Sequence, residues 1–557
     1  MRQTGRRPQP LRAVVAMLIA ALAWIAADPA AATVINVRTT ADSGTCPGTN
    51  CSLRGAIALA GPADPIHFQL PAGSTITLLT PISVNSQVTV FGPGAGNLTI
   101  TANHTAPGTL GAELFYVGTG GDMGISDVTL KGVATYGSLP LVGVDGGGFL
   151  TVVRCVLMDS YSYGYEGAIH VYGGFLTLQD STLSNNRSSG GWGGALYVGG
   201  GLTTIVRTTF SNNYSIYKGG AIAVDHGGSL DVTDSTFSGN SVGDINNGGY
   251  GGAIDLGDLY ANTATVTGST FVGNSSYELG GAINNGANLT VTNSTFTQNT
   301  ATYGGAISTQ YTNIFVLPPR VTTLKHVTMA GNTASFGGGL YVVPNTTMNA
   351  QNSIFAGNTL SGGGFEDAYG AVTTQTYNLV QYPGRSTGWD PNFDRQNTNP
   401  LLFALGDYGG PTFTMPAGTG GFVIDEIPTT NGCNGANVTV DQRGVARPQS
   451  TGCDRGAFEK VPGMLSTVTF DTNGGSALVP ITVPFNTVAS APPNPVKVGS
   501  LFGGWYSNAG LTIPFSFSTP ITANITLYAK WTVVAAPQLV GKSSRKTHGV
   551  TKFDLPL

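Results

Sequence analysis

Arginine and aspartate alternate at one repeated position of this chain: Arg154, Asp180, Arg207 and Asp234, followed by Gly268, Asn293, His326 and Asn352. Carboxylates beside guanidinium groups on one outer face could bind or cleave a polysaccharide by acid–base chemistry. The same alternation also serves as a register device, because opposite charges on neighbouring strands favour the correct pairing. It follows the repeat strictly, whereas a catalytic centre would break the repeat at one place, so the register device is preferred. Asp225-His226 occurs once, where it could form an acid–base pair. Adjacent strand residues point to opposite faces, which favours a turn instead. Asp441-Gln442-Arg443 and Asp454 read as a buried ion-pair network. "GGYGGAIDL" (248–256) looks like a calcium-binding nonapeptide, but Ala253 stands where that motif requires Asp, so calcium is rejected there.

A second column is aromatic: Tyr165, Trp192, Lys218, Tyr250, Leu279, Tyr303 and Phe336. Exposed, Tyr165, Trp192, Tyr250 and Tyr303 would make a strip suited to sugar rings or a protein partner. Buried beside a turn, the same residues are packing, which is the preferred reading.

The elements that position these columns follow from a repeated phrase such as "SLDVTDSTFSGN" (229–240). Its anchors are Leu157, Leu183, Phe210, Phe237, Phe271, Phe296, Met329 and Phe355, at intervals of 26, 27, 27, 34, 25, 33 and 26. "GGAI" or a close variant recurs between them, with Ala168, Ala195, Ala221, Ala253, Ala282 and Ala306 in one column. Positions two and five before each anchor are small or apolar and point inward. The position just before it is mostly Thr and points outward. This is period-2 alternation with a bend, and each repeat supplies several short strands. A right-handed parallel β-helix is the simplest solution, with about 26 residues per coil and about 13 coils. Asn186, Asn213, Asn240, Asn274, Asn299, Asn332 and Asn358 then take the corners and stack their amides. Asp234 is expected to meet Arg207 on the neighbouring coil, and Cys155 reads as a small buried thiol in the inward Ser column.

The chain has 557 residues, 81 of them Gly, with charged residues at 10% and a net charge of −4. No basic surface for nucleic acid is implied. No amphipathic helix stands out after the N-terminus. Arg2, Arg6, Arg7 and Arg12 precede an apolar run at 13–26, which reads as a secretory signal peptide ending near Ala32. No later stretch is apolar for long enough to span a bilayer. Export permits disulfides, and sequence proximity pairs Cys46 with Cys51 and Cys433 with Cys453. Zinc-ligand spacings are absent, and neither a metal nor a cofactor is expected.

Three segments carry resemblances. "VINVRTTADSGTCPGTNCSLRGAIALA" (34–60) resembles the CSLREA domain of exported bacterial repeat proteins, through Cys51-Ser52-Leu53-Arg54 and Ala56-Ile57, with Gly55 in place of the family's Glu. "NPLLFALGDYGGPTFTM" (399–415), "DQRGVARP" and "CDRGAFE" resemble the choice-of-anchor Q domain, which implies that a β-helix of the polymorphic outer-membrane type precedes it. Residues 466–531 resemble an internalin-type B-repeat, the Listeria–Bacteroides repeat, through Asp471, Asn473-Gly474-Gly475, Gly504-Trp505-Tyr506 and Leu527-Tyr528-Ala529-Lys530-Trp531. That resemblance implies a small β-grasp-like module. Asn473-Gly474 makes a tight turn, and Trp505, Tyr506, Tyr528 and Trp531 are expected to supply its core.

The expected organisation is a signal peptide (1–32), a cap (33–62), a parallel β-helix (63–398), its Q-like C-terminal part (399–463), a B-repeat module (464–532) and a tail (533–557) that resembles the start of another β domain. The expected protein is all-β, monomeric, and secreted or displayed on a bacterial surface. Its expected work is non-catalytic binding to an extracellular glycan or a surface protein. A polysaccharide lyase or glycoside hydrolase, or a structural stalk, is the alternative. Enzyme chemistry would require two or more outward carboxylates with a base, near the irregular turns at 241–249 or 310–320.

Overall fold

The computed structural model describes residues 33–533 apart from 47–49, 103–112, 133–139, 163–166, 258–259, 261, 311–319, 375, 419, 431–432, 434, 463–464, 485–486 and 522–523. The chain divides into two units, Met1–Val461 and Pro462–Leu557.

The first unit is a parallel β-helix with four faces, taken here in chain order around one coil. Among the described residues, the first and second faces each stack 13 strands, the third 8 and the fourth 12. The coil that begins with "SLDVTDSTFSGN" supplies Ser229–Thr233 to the first face, Thr236–Ser238 to the second, Ser241–Val242 to the third and Ile254–Leu256 to the fourth. Equivalent residues pair directly, so Val232 meets Ile205 and Val266, and Phe237 meets Phe210 and Phe271. The inward columns are therefore continuous. Phe210, Phe237, Phe271 and Phe296 stack at centroid separations of 4.9, 4.7 and 4.6 Å with their rings nearly parallel.

Two polar ladders lie inside this core. From Asn213 to Asn358, each buried Asn of the corner column accepts both the backbone N–H and the side-chain amide of the Asn one coil earlier. Asn213 donates to Asn240 Oδ1 at 3.0 and 2.9 Å, and Asn240 donates likewise to Asn274. The same amide donates to the anchor carbonyl of an earlier coil, as Asn240 Nδ2 does to Phe210. Asp367 closes the ladder by accepting from Asn358. In the second ladder the inward Ser hydroxyls accept backbone N–H groups from the preceding coil, as Ser269 does from Ser235 at 3.1 Å. Cys155 occupies this column, and burial pushes its thiol up to about 12.

Two turns differ from the sequence expectation. The Asn column does not itself take the left-handed corner. The residue before it does, as at Asn212 (φ 53°) and Gly239 (φ 63°), which leaves Asn240 free to turn inward. The Arg/Asp column sits at a bend instead of within paired strands. Asp127, Arg154, Asp180, Arg207, Asp234, Asn293, His326 and Asn352 all have φ between 45° and 59°, with Gly268 at 62°. Arg154 reaches back to Asp127 and Arg207 back to Asp180, each through two hydrogen bonds. Asp234 therefore receives no hydrogen bond from Arg207, and burial pushes its carboxyl up. In the Gly-Gly pairs the first Gly is left-handed (Gly219, φ 57°), while a Cβ on the second (Gly220) would lie 2.1 Å from the Gly252 carbonyl.

Ile35–Val37 already belongs to the first face, by pairing with Ile66–Phe68. A seven-residue helix, Leu53–Leu59, was not evident from the sequence because it is short and apolar on most sides. Ser52 caps it by accepting the Gly55 N–H. A Cβ on Gly55 would meet the Thr45 carbonyl at 2.4 Å. Disulfides join Cys46 to Cys51 and Cys433 to Cys453.

The last coil strand is Arg395–Gln396, and the chain then leaves the helix. From about 400 to 460 its described residues form no regular strands and run back over the outside of the second face. Thr412 donates to the Gly268 carbonyl, Gln442 Nε2 to Thr270, and Thr295 to Gln442 Oε1, while Thr328 accepts the Ala457 N–H. The outward Thr column is consequently half-exposed at Thr209 and Thr236 but buried at Thr270, Thr295 and Thr328. Ile354, Ala417 and Val423 form a small second core beneath this segment.

The second unit holds a four-stranded mixed sheet. Leu465–Asp471 pairs parallel with Ile525–Val533 and antiparallel with Ile481–Pro484, and Ser500–Tyr506 pairs antiparallel with Ile525–Val533. Asn473 and Gly474 both have positive φ, and the Gly475 N–H closes the turn onto Thr472. Trp505 is buried with Val468, Phe470 and Leu527, and Trp531 packs at the edge of this cluster. Tyr506 and Tyr528 are not part of it. Tyr506 instead lies against the Lys530 ammonium on the outer side of the sheet.

Candidate functional site

The outward side of the fourth face gathers the side chains best suited to recognition. Strand alternation sets this, because the Ile of each "GGAI" packs inward and the next residue points out. In register from coil to coil, the outward column runs Tyr197, Ala223, Asp255, Asn284, Ser308, Tyr341, Tyr369 and Arg385. Beside it runs the aromatic column expected from the sequence. Trp192, Lys218, Tyr250, Leu279 and Tyr303 are linked by parallel bridges, and Tyr303 pairs with Phe336. These residues are half-buried on the outer surface and do not pack in the core. Tyr165 lies outside the described residues.

At the C-terminal coils the two columns merge into a platform. Tyr303 stacks on Phe336 at 5.2 Å and Tyr341 on Tyr369 at 5.0 Å, and Tyr303 meets Tyr341 across the columns at 5.0 Å. Arg385 closes one end, with its guanidinium 4.9 Å from both Phe336 and Tyr369. Glu366 fixes that guanidinium through two hydrogen bonds of 2.7 Å. Although burial opposes it, Arg385 holds the Glu366 carboxyl below its usual range. A planar cation stacked on rings and locked by a buried carboxylate is a preorganised surface.

At the central coils the face is polar. Asp225 is nearly buried. Its Oδ1 accepts the His226 N–H, and its Oδ2 lies 3.5 Å from Lys218 Nζ. His226 is a left-handed turn residue (φ 53°), so Asp225-His226 is a turn and not two opposed strand residues. The His226 ring contacts Tyr197 through Nδ1 and stacks on exposed Tyr260 at 4.6 Å. Asp255 accepts from Asn284 Nδ2 at 2.7 Å, and the same amide donates to Gln310 at 2.9 Å. Both Asp255 and Asn284 are fully buried although they point outward. Burial raises the Tyr250 phenol, as does its hydrogen-bonded neighbour Glu278, with Asp255 adding to the effect.

The sequence did not reveal Asp255, Asn284, Tyr341, Tyr369 or Arg385 as members of one face. Their common signal was position, two residues after the Ala column in its coils, but their types differ from coil to coil. Arg154, Asp180, Arg207 and Asp234 lie at the bend between the first and second faces, away from this site. Asp441, Arg443, Arg447, Asp454 and Glu459 form a buried network in the folded-back segment, with Arg443–Asp441 and Arg447–Glu459 contacts of 2.6 Å. No group of three or more His, Cys, Asp or Glu that could hold a metal ion occurs among the described residues, and no helix there is long and apolar enough to cross a membrane.

Residues 467–530 match the Listeria-Bacteroides repeat domain, and residues 207–225 and 293–310 match the Chlamydia polymorphic membrane protein repeat. The first of those two repeats runs from the bend at Arg207 to Asp225 on the fourth face. Two proteins of Evansella cellulosilytica, described as a membrane protein and a Gly-rich membrane protein, are 44% and 38% identical over 68 residues, or 12% of this chain. The matches span 10% and 8% of those relatives. Among solved structures, pectate lyase Pel9A is 13% identical, with a TM-score of 0.37, 78% of this chain and 98% of that one covered. The family PL6 alginate lyase AlyGC is 13% identical, with a TM-score of 0.40, covering 77% and 59%. The chain is thus a parallel β-helix bearing polymorphic membrane protein repeats, followed by a Listeria-Bacteroides repeat.

Proposed function

We propose that this is an exported, surface-associated protein that binds a glycan chain along its fourth face without cleaving it. The observation that carries this reading is the platform of Tyr303, Phe336, Tyr341 and Tyr369 with Arg385 fixed at its end. Aromatic faces stacked along one direction suit the apolar faces of successive sugar rings, and partly exposed phenols offer hydrogen bonds to hydroxyls. The polymorphic membrane protein repeats and the membrane-protein relatives support a surface location.

The two central carboxylates support binding over turnover. Asp225 holds its own turn and Lys218, and Asp255 is sealed beneath the face with Asn284. An acid–base pair must reach the bond that it cleaves, and these groups are spent on structure.

A glycan array with the purified chain, joined to reducing-sugar and unsaturated-uronide assays, tests this. Binding without release of ends is the expected result, and Tyr341→Ala with Tyr369→Ala should weaken it about tenfold or more. Release of reducing or unsaturated ends would replace this reading with a glycan-cleaving one. Binding to a protein but to no glycan would replace it with a protein-adhesion one.

A further inference from the structure

The charges on the fourth face are one-sided. Among the described residues it carries Glu113, Asp145, Asp225, Asp255 and Glu278. Against these five carboxylates stand the Lys218 ammonium, which faces Asp225, and the buried Arg320 guanidinium at the turn beside Tyr260. Glu366 and Arg385 neutralise each other. His170 and His226 also lie on this face. The carboxylates lie beside aromatic rings: Glu278 is hydrogen-bonded to Tyr250, and Asp145 to Tyr116, with Glu113 also close to Tyr116.

A second observation concerns hydrogen bonding. Asn284 is fully buried, and its Nδ2 already donates to two acceptors, Asp255 Oδ1 and Gln310 Oε1. Those two bonds fix the orientation of the amide, and its Oδ1 is left without a donor among the described residues. Beneath the centre of the face, acceptors therefore outnumber donors. A polyuronate would bring more carboxylates to such a surface, and like charges at close range are repelled. A protonated amine brings positive charge, N–H donors and a favourable contact with aromatic faces.

Resting on the glycan-binding reading above, we infer that the fourth face selects glycans bearing free amino groups, such as de-N-acetylated hexosamine chains, and refuses polyuronates. The test uses the full chain with three probes: a de-N-acetylated chitooligosaccharide, its fully N-acetylated counterpart of the same length, and polygalacturonate. Calorimetric titration is run at low and at high salt. The amino form should bind about tenfold tighter than the N-acetylated form at low salt, with the advantage shrinking as salt screens the charges, and polygalacturonate should not bind. Asp145→Asn with Glu278→Gln should narrow the gap between the two hexosamine chains. Equal binding of both chains, or binding of polygalacturonate, would overturn the charge selection and leave the glycan reading intact. Failure of all three probes, together with an empty neutral-glycan panel, would overturn both.

Discussion

Single residues in this protein are most consequential where they are polar and buried. Asn240 donates from its backbone and side-chain N–H groups and accepts two hydrogen bonds at Oδ1, all within the core. Asn240→Ala should strand the Asn213 donors and cost about 3 kcal/mol, read as a lowered denaturation midpoint. Asp367 at the end of the same ladder is pushed by burial to about 6, and Asp454, through burial and then the Glu459 charge, to about 7. A carboxyl whose folded pKa is raised holds its proton more tightly when folded. The stability that it contributes is complete below the ordinary value of 3.8 and is lost as pH rises through about 6 for Asp367 and about 7 for Asp454. The thermal midpoint should therefore carry a falling component between pH 4 and pH 8, and Asp367→Asn should flatten it. An unchanged slope in that variant would show that Asp367 is ionised when folded. The thiol of Cys155 should resist alkylation in the native chain and react only on unfolding, since burial pushes it up to about 12.

At the scale of elements, stacking decides which side chains matter. Phe271 sits between Phe237 and Phe296 with no exposure, so Phe271→Ala should cost about 4 kcal/mol. Arg207 and Asp180 are about a third or more exposed, so Arg207→Ala should cost under about 1 kcal/mol despite contacts of 2.6 and 2.9 Å. Comparing the two unfolding midpoints checks whether packing or charge sets the register of the coils. Much of this was legible in the sequence, because a stacked fold repeats its chemistry from coil to coil. The Phe, Ser and Asn columns each keep one role, and the spacing reveals them. The bend column was misread because Arg, Asp, Asn, His and Gly share no charge. They share a left-handed backbone, and Gly268 among Asn293 and Asn352 was the available sign. The fourth face was only half legible. Its aromatic column repeats, but the Tyr341–Tyr369–Arg385 platform occurs once and has no period to expose it.

At the scale of the whole first unit, the segment after Gln396 has no repeat, and its partners on the coils lie about 80 to 170 residues earlier in the chain. No local pattern encodes such contacts, which is why the return of this segment over the second face was not evident from the sequence. Gln442 is its central pin. Gln442→Ala removes bonds to Thr270, Thr295, Thr412 and Phe413 together, and should open residues 400–460 to limited proteolysis while the coils stay protected. Simultaneous loss of coils and segment would show that the two unfold as one. The arrangement also bears on the order of folding. A solenoid can add coils one at a time along its chain, since each needs only its neighbour. Here the second face at Thr270, Thr295 and Thr328 stays bare until the residues that cover it arrive last. Winding of the coils and completion of this face are therefore separate events, and the first unit remains unlatched until both have occurred.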